Sequence, residues 1–412
     1  MHTTPEPFKG VGAEGCELVL DDGRRLIDGV ASWWSVCHGY GHPHLVEAIA
    51  KQAETLSHVM MGGLKHEPAE KLAARLAAML PGDFNHVFFS DSGSTAVEVA
   101  MKMALQYWSN RGKSGKSRFV CFSDGYHGDT FGAMSISDPE RSMHQAFKRN
   151  VAAQFVVDIP TDEYSLAEFE ETLAGVKDEV AGMIIEPLVQ GAGGLKFHSP
   201  DMLAALRKFA DEHEMLFIAD EIATGFARTG SMFAVEEAGI VPDIICLGKA
   251  LTGGMVGLGA TVAAAHVYDA FLDDDMSKAL MHGPTFMGNA LASAAANASL
   301  DLFESEPRLA EVDAIEQQLT KGLAACRELD AVKDVRVKGA IGVVELHPEY
   351  ADPIAVRLKA AEQGCWIRPF GHVVYLWPPL VISADQLAKL MQVTESLISE
   401  LAPNPDANQQ PD

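Results

Sequence analysis

No stretch of this 412-residue chain approaches the run of about 18 apolar residues that a membrane-spanning helix needs; the small-residue segment Ala290–Leu300 is shorter and contains Asn297. The opening Met-His-Thr-Thr-Pro-Glu-Pro-Phe has no basic region and no apolar stretch, so no secretory signal is visible. Cysteine is sparse: residues 16, 37, 121, 246, 326 and 365 never approach Cys-x-x-Cys spacing or zinc spacing with histidine. A reduced, cytoplasmic setting is the expectation. Basic residues are outnumbered, 32 Lys and Arg against 57 Asp and Glu. The net charge of -25 disfavours nucleic acid and anionic membrane as partners. There is no Gly-x-x-x-x-Gly-Lys-Ser/Thr loop for nucleoside triphosphates and no Gly-x-Ser-x-Gly nucleophile elbow. Gly10-Val-Gly-Ala-Glu-Gly15 has the spacing of a dinucleotide fingerprint, but no strand precedes it and a strand rather than a helix follows. His38, His42 and His44 surround two glycines and a proline, which reads better as a turn than as a metal site.

What is present is an ordinary globular composition, 48% hydrophobic and 22% charged, in a chain too long for one small core. Residues 16–30 predict two short strands about Asp21-Asp22-Gly23. Helical spacing follows from Leu45 to about His58, then in a second helix with Pro68 in its first turn. From 86 to 300, apolar strands alternate with helices. The strands are His86–Phe89, Arg118–Phe122, Phe155–Ile159, Gly182–Ile185, Met215–Ala219, Asp243–Leu247 and Gly259–Ala264. The helices include Thr95–Trp108, with Thr95 and Glu98 as its cap pair, and Pro200–Glu212, capped by Ser199. This alternation predicts an α/β protein with a mostly parallel sheet covered by helices, its ligands at the carboxyl ends of the strands. After about residue 300 come a polar helical region, 306–328, three strand candidates and a closing helix with the capping box Ser383–Gln386. The expected organisation is an N-terminal segment 1–44 joining a small α+β domain at 301–401, a large domain at 45–300, and a disordered tail at 402–412.

Two of the large-domain strands end in opposite charges. Met215–Ala219 runs into Asp220-Glu221, and Asp243–Leu247 into Gly248-Lys249. A lysine and a carboxylate at one sheet edge suit pyridoxal phosphate, the amine bonding to its aldehyde and the aspartate facing its ring nitrogen. Either residue alone would read as a solvated strand end. Ser90-Asp-Ser-Gly-Ser-Thr95 follows a strand and opens a helix, which describes either a phosphate cradle or a well-capped helix start. Gly125-Tyr126-His-Gly-Asp129 follows the next strand and offers an aromatic to a flat ring, or is only a turn.

Asp220–Gly230 together with Leu247–Gly254 resembles the class III pyridoxal-phosphate aminotransferases of fold type I. Trp33-Trp34, His38–Pro43, Ser57–Gly63, Val97–Trp108, Gly125–Met134, His282–Gly288 and Trp366–Gly371 extend the resemblance over about residues 15 to 400. They narrow it to those members that use S-adenosylmethionine to aminate 8-amino-7-oxononanoate, giving 7,8-diaminononanoate for biotin. The resemblance implies a homodimer with shared active sites. In it, Lys249 carries the cofactor, Asp220 pairs with the pyridine nitrogen, Tyr126 stacks on the ring, and Gly93 and Ser94 hold the phosphate. Pro284 and Thr285 complete that phosphate site across the dimer. Trp33, Trp34 and Gly283 line the substrate pocket, Arg368 binds the oxononanoate carboxylate, and Arg228 lies near the carboxylate of S-adenosylmethionine. Ala223, where many class III members have glutamine, agrees with the narrower assignment. The family's N-terminal Trp-His-Pro-Tyr-Thr segment has no counterpart, since no tyrosine precedes Tyr40. Two other readings stay open: a relative acting on ω-amino acids or diamines, and a non-catalytic protein on the same scaffold.

Overall fold

The structure, a computed structural model, describes residues 5–138 and 143–403. Most of the tail expected to be disordered, residues 404–412, lies outside the described residues. The chain forms two compact units, one of Ala48–Phe226 with Ser231–Ala298, the other of Met1–Glu47, Ala227–Gly230 and Ser299–Asp412 so far as these are described. The four-residue excursion at 227–230 has no signal in the sequence pattern.

The larger unit is built on seven strands in the order Phe84–Ser90, Gly259–Ala264, Ile244–Leu247, Leu216–Asp220, Val180–Ile185, Arg118–Phe122 and Phe155–Val157. Only Gly259–Ala264 runs against its neighbours; the other pairings are parallel. The four strands from Val180–Ile185 to Gly259–Ala264 in this order are buried at every position. Their near-continuous Val, Ile, Leu and Ala runs are what a sheet covered on both faces requires. Helix Gly93–Asn110 packs on this sheet through Ala96, Ala100 and Ala104, whose small side chains bring the backbones close. Thr261 Oγ1 donates to the Ala96 carbonyl at 2.7 Å and Trp108 Nε1 to the Ala181 carbonyl at 2.7 Å, so both ends of the helix are fixed to the strands beneath.

The cap of this helix differs from the expected Thr95–Glu98 pair. Ser92 is the N-cap and Thr95 its reciprocal partner. Glu98 is drawn away because its Oε1 accepts from Thr130 Oγ1 and from the Gly132 and Ala133 amides, and so holds the loop after Tyr126 instead. The Ser199 cap of Pro200–Glu212 and the Ser383–Gln386 capping box form as the sequence predicts.

In the smaller unit, Gly10–Glu14, Glu17–Leu20, Arg25–Asp28 and the distant Cys365–Trp366 form one sheet. Val332–Lys338, Ile341–Leu346 and Val373–Leu376 form another. The Gly10–Gly15 segment is thus a strand rather than a phosphate loop. His38 is no metal ligand: its Nδ1 accepts from Arg308 Nε at 3.1 Å and its Nε2 faces Ser299 Oγ at 3.1 Å. Burial holds it neutral, its pKa lowered to about 3.

Asp243 pins the amino-terminal side of the large sheet. It accepts from Arg207 Nη1 at 2.6 Å and the Phe217 amide at 2.6 Å, and His266 Nε2 lies 3.1 Å away. Burial opposes its charge, but His266 and Arg207 outweigh burial and hold the carboxyl below its ordinary range. Asp243→Asn should cost roughly 2–4 kcal/mol, since it leaves a guanidinium and an amide short of a charged acceptor. A depressed folded-state pKa gives stability that is present above the unfolded value of about 4 and lost as pH falls through the folded value. Denaturant melts should therefore show a wild-type advantage at pH 7 that shrinks below about pH 4. An advantage unchanged by acid would remove the ion-pair explanation.

Candidate active site

The parallel pairing of Leu216–Asp220 with Ile244–Leu247, in the register Asp220 opposite Cys246, brings two carboxyl ends to one edge. Asp220 closes its strand. Gly248, in extended backbone, then turns the chain so that Lys249 takes a left-handed conformation with φ of 43°. A non-glycine residue held there is strained, and such strain persists only where the surroundings over-determine it. Glycines at 253 and 254, both at positive φ, complete the turn.

Gly93, Ser94, Tyr126, Asp220 and Lys249 line a single cavity, joined by His127, Gly128, Glu186, Ile222 and Ala223. Gly93 and Ser94 occupy the first turn of Gly93–Asn110, where backbone amides face an incoming anion. A Cβ on Gly93 would meet Ile222 at 2.9 Å, and one on Gly128 would strike Ser94. Ser94 Oγ accepts from the Asp129 amide at 3.1 Å, so the Gly125–Asp129 loop is laid against this helix start. Together these glycines keep side chains out of a phosphate-sized cradle.

The charges in the cavity are arranged tightly. Asp220 is 3% exposed; His127 Nδ1 donates to its Oδ2 at 2.7 Å and the Ile222 amide to its Oδ1 at 3.2 Å. Glu186, also buried, accepts from the Tyr126 amide at 3.0 Å and the Gly191 amide at 2.8 Å. Burial, reinforced by the like charge of Asp220, raises Glu186 to about 7. Burial lowers the Lys249 ammonium from its ordinary value, against the pull of Asp220 and Glu186. A desolvated lysine with a lowered pKa keeps more of its amine in the nucleophilic form at neutral pH. Burial, then the charge of Asp129, raises the Tyr126 phenol, which stays protonated; its ring stacks on His144 at 5.7 Å. His127 and Glu186 were missed by sequence reasoning. Glu186 follows the strand Val180–Ile185 as Asp220 closes Leu216–Asp220, and that repeated signature was legible.

The remaining expected residues lie elsewhere. Gly283, Pro284 and Thr285 form an exposed to half-buried turn apart from the cavity lining, where the Thr285 carbonyl accepts from His58 at 2.7 Å. Trp33, Trp34, Arg228 and Arg368 belong to the smaller unit. Trp33 is 58% exposed, with the Arg368 guanidinium 4.4 Å above its ring. Trp34 is buried and stacked on Trp377 at 4.7 Å, its Nε1 donating to Tyr375 Oη at 3.3 Å. The turn carrying both tryptophans is strained, with positive φ at Ala31, Ser32 and Trp34. Asp28 holds it, accepting from the Val30 and Ser32 amides and from Tyr40 Oη. Arg228 is buried, and its Nη1 donates to the carbonyls of Ala340 and Pro378, each at 2.9 Å. Among the described residues, no group of three or more His, Cys, Asp or Glu is placed to hold a metal.

A mixed, largely parallel sheet carrying a buried lysine–aspartate pair beside a helix start defines an α/β protein of fold type I. The chain belongs to the class-III aminotransferase family, which it matches over residues 3–398. It is 44% identical, over 92% of this chain and 90% of that protein, to the adenosylmethionine-8-amino-7-oxononanoate aminotransferase of Corynebacterium glutamicum. It is 43% identical to the protein of that name from Synechococcus elongatus, covering 97% of each. It superposes on the structure of adenosylmethionine-8-amino-7-oxononanoate aminotransferase from Methanocaldococcus jannaschii with a TM-score of 0.92 at 34% identity, covering 96% and 94% of the two chains. An amine transaminase from an uncultivated Pseudomonas species, in its PLP-bound form, gives 0.91 at 30% identity, covering 98% and 97%.

The lowered pKa of Lys249 has a direct consequence. Brief exposure of the cofactor-free protein to limiting pyridoxal, followed by borohydride and peptide mapping, should label Lys249 ahead of the other lysines at pH 7. Labelling spread evenly over exposed lysines would contradict the environment described for this amine.

Proposed function

We propose that this chain is a pyridoxal-phosphate-dependent aminotransferase that carries an amino group from S-adenosylmethionine to 8-amino-7-oxononanoate, giving 7,8-diaminononanoate for biotin biosynthesis. The observation that carries the reading is the cavity in which Lys249 and Asp220 lie beside the helix start at Gly93 and Ser94, where Gly93 and Gly128 lack side chains. An amine, an ionised acid and an anion cradle are what the aldehyde, ring nitrogen and phosphate of the cofactor each require, so the residues present fit it. The six cysteines, all buried and none in a disulfide, support a reducing, cytoplasmic location.

When bound, pyridoxal phosphate supplies an electron sink that makes the Cα–H of a substrate amine acidic. Asp220 would pair with the ring nitrogen and favour its protonation, and His127 holds the Asp220 carboxylate in place. Gly93 and Ser94 would offer their amides to the phosphate, and Tyr126 would cover one face of the ring. Lys249 would anchor the cofactor through its amine and, once freed, would serve as the base and then the acid that moves the substrate Cα proton. Its burial favours this proton transfer, since a neutral amine is the form that accepts a proton. Pro284 and Thr285 of the partner subunit would complete the phosphate site in a homodimer. Trp33, Trp34 and Gly283 would border the substrates, Arg368 would bind the oxononanoate carboxylate, and Arg228 the carboxylate of S-adenosylmethionine. Arg368 suits carboxylate binding because it makes no ion pair among the described residues and is held over Trp33.

Adding S-adenosylmethionine alone to the holoenzyme should bleach the visible cofactor band in a single turnover. Indifference to it, with good turnover of β-alanine or putrescine, would transfer the chain to the ω-amino acid and diamine branch. A protein that stays colourless after pyridoxal phosphate is added would favour a non-catalytic role. Lys249→Ala should fold normally and lose turnover below detection. Arg368→Ala should raise KM for the oxononanoate roughly 10- to 100-fold, the range expected for losing a charge-assisted pair, with a far smaller change for the donor. Equal effects on both substrates would remove the role given to Arg368.

A further inference from the structure

Within the smaller unit, the surroundings of Arg228 are built but incomplete. Its side chain is 3% exposed, and its Nη1 is fully engaged by the Ala340 and Pro378 carbonyls. Its own carbonyl accepts from the Ala340 amide at 3.0 Å, and Gly339 must lack a side chain because a Cβ there would strike that carbonyl. The guanidinium is thus locked in position, yet Nε and Nη2 have no acceptor among the described residues. Among the described residues no carboxylate pairs with it. The titratable group that acts on it is Cys37, and burial holds that thiol neutral by pushing its pKa up to about 12. A buried guanidinium without a counter-ion is costly unless an anion arrives from outside.

A second buried donor lies beside it. The Arg228 guanidinium sits 5.1 Å from the centre of the Trp377 ring. Trp377 is fully buried, and among the described residues neither its indole Nε1 nor the Oγ1 of Thr229, which follows Arg228 in the chain, has a hydrogen-bond partner. The indole cannot readily turn to find an acceptor, because Trp34 is stacked on its face with 19° between the planes and is itself fixed by Tyr375. Orphaned buried donors of this kind call for an explanation. A carboxylate offers two oxygens and about four acceptor sites, enough for both a guanidinium edge and an indole N–H.

We propose that Trp377 is a specificity-determining residue: its indole N–H, together with Arg228, binds the α-carboxylate of the amino donor. This rests on the role given above to Arg228. It adds a neutral, directional donor that selects donors carrying a carboxylate over amines without one.

Trp377→Phe keeps an aromatic ring against Trp34 and removes the N–H together with part of the buried ring volume, so the nitrogen-15 reading on the unaltered protein carries equal weight. In the holoenzyme the variant should raise KM for S-adenosylmethionine about tenfold and shift KM for the oxononanoate much less. Nitrogen-15 labelling of the five tryptophan indoles gives a reading on the unaltered protein. The Trp377 signal, assigned by its loss in the Phe variant or its replacement in Trp377→His, should move on adding S-adenosylmethionine and stay still on adding its decarboxylated counterpart. An unchanged donor KM in Trp377→Phe, or an indole signal indifferent to the carboxylate, overturns the proposal. Arg228→Leu separates the two claims. If it raises the donor KM while Trp377→Phe does not, Arg228 keeps its role and Trp377 loses its own; if Arg228→Leu leaves the donor KM unchanged, the role of Arg228 falls too.

Discussion

A carboxylate and an amine held out of water at one sheet edge constrain everything else in the larger unit. Asp220 and Lys249 sit where two adjacent parallel strands stop, and the register between those strands fixes their separation more firmly than any loop could. Charges this buried are tolerated only when their lone pairs and protons are engaged. Asp220 meets that condition through His127 and the Ile222 amide. Lys249 responds to burial with a lowered pKa, and the same desolvation leaves it chemically useful. Glu186 adds a third buried titratable group to the cavity; burial raises it to about 7, and two amides hold it.

Backbone strain follows the same geography. Lys249 is left-handed, and so are Ala31, Ser32 and Trp34 in the smaller unit, with Phe226 and Ala227 where the chain passes between units. L-residues enter that region at a cost of roughly 1–3 kcal/mol each, so each needs a restraint. At the tryptophan pair the restraint is visible: the buried Asp28 takes two amides and the Tyr40 hydroxyl. The result presents Trp33 to solvent while burying Trp34. Two consecutive residues with identical side chains thus acquire different roles, one bearing Arg368 and one bracing Trp377.

Much of this was legible in advance, and the reasons are physical. The strands Ile341–Leu346, Val373–Leu376 and Gly259–Ala264 announce themselves because continuous apolar runs have few other uses. Ser199 and Ser383 are readable because capping depends on residues three positions apart. Long-range pairings leave no such trace. Cys365–Trp366 joins Arg25–Asp28 across most of the chain, and nothing local in either segment names its partner. The Ser92 cap escapes a local reading because Glu98 has a competing use in a loop some thirty residues on. Lys249 and Asp220 stand out because each ends an apolar strand. His127 does not, because its importance comes from a contact, and a histidine in a glycine-rich turn gives no sign of the acid it will meet.

The smaller unit answers a different electrostatic question. With 57 acidic residues against 32 basic ones, arginines in this chain have carboxylates in surplus, and Arg25, Arg207, Arg308 and Arg336 all take them. Against that background, a guanidinium as buried as Arg228 with no acid beside it is not a shortage of partners. Pairing it internally would stabilise the unit and would also occupy the nitrogens that an external carboxylate needs. Leaving Nε and Nη2 without an acceptor among the described residues, in a guanidinium 5.1 Å from the centre of a Trp377 ring whose N–H is also unmet, costs stability. On the proposed role, an arriving carboxylate would recover that stability, and the cluster would favour ligands that carry one.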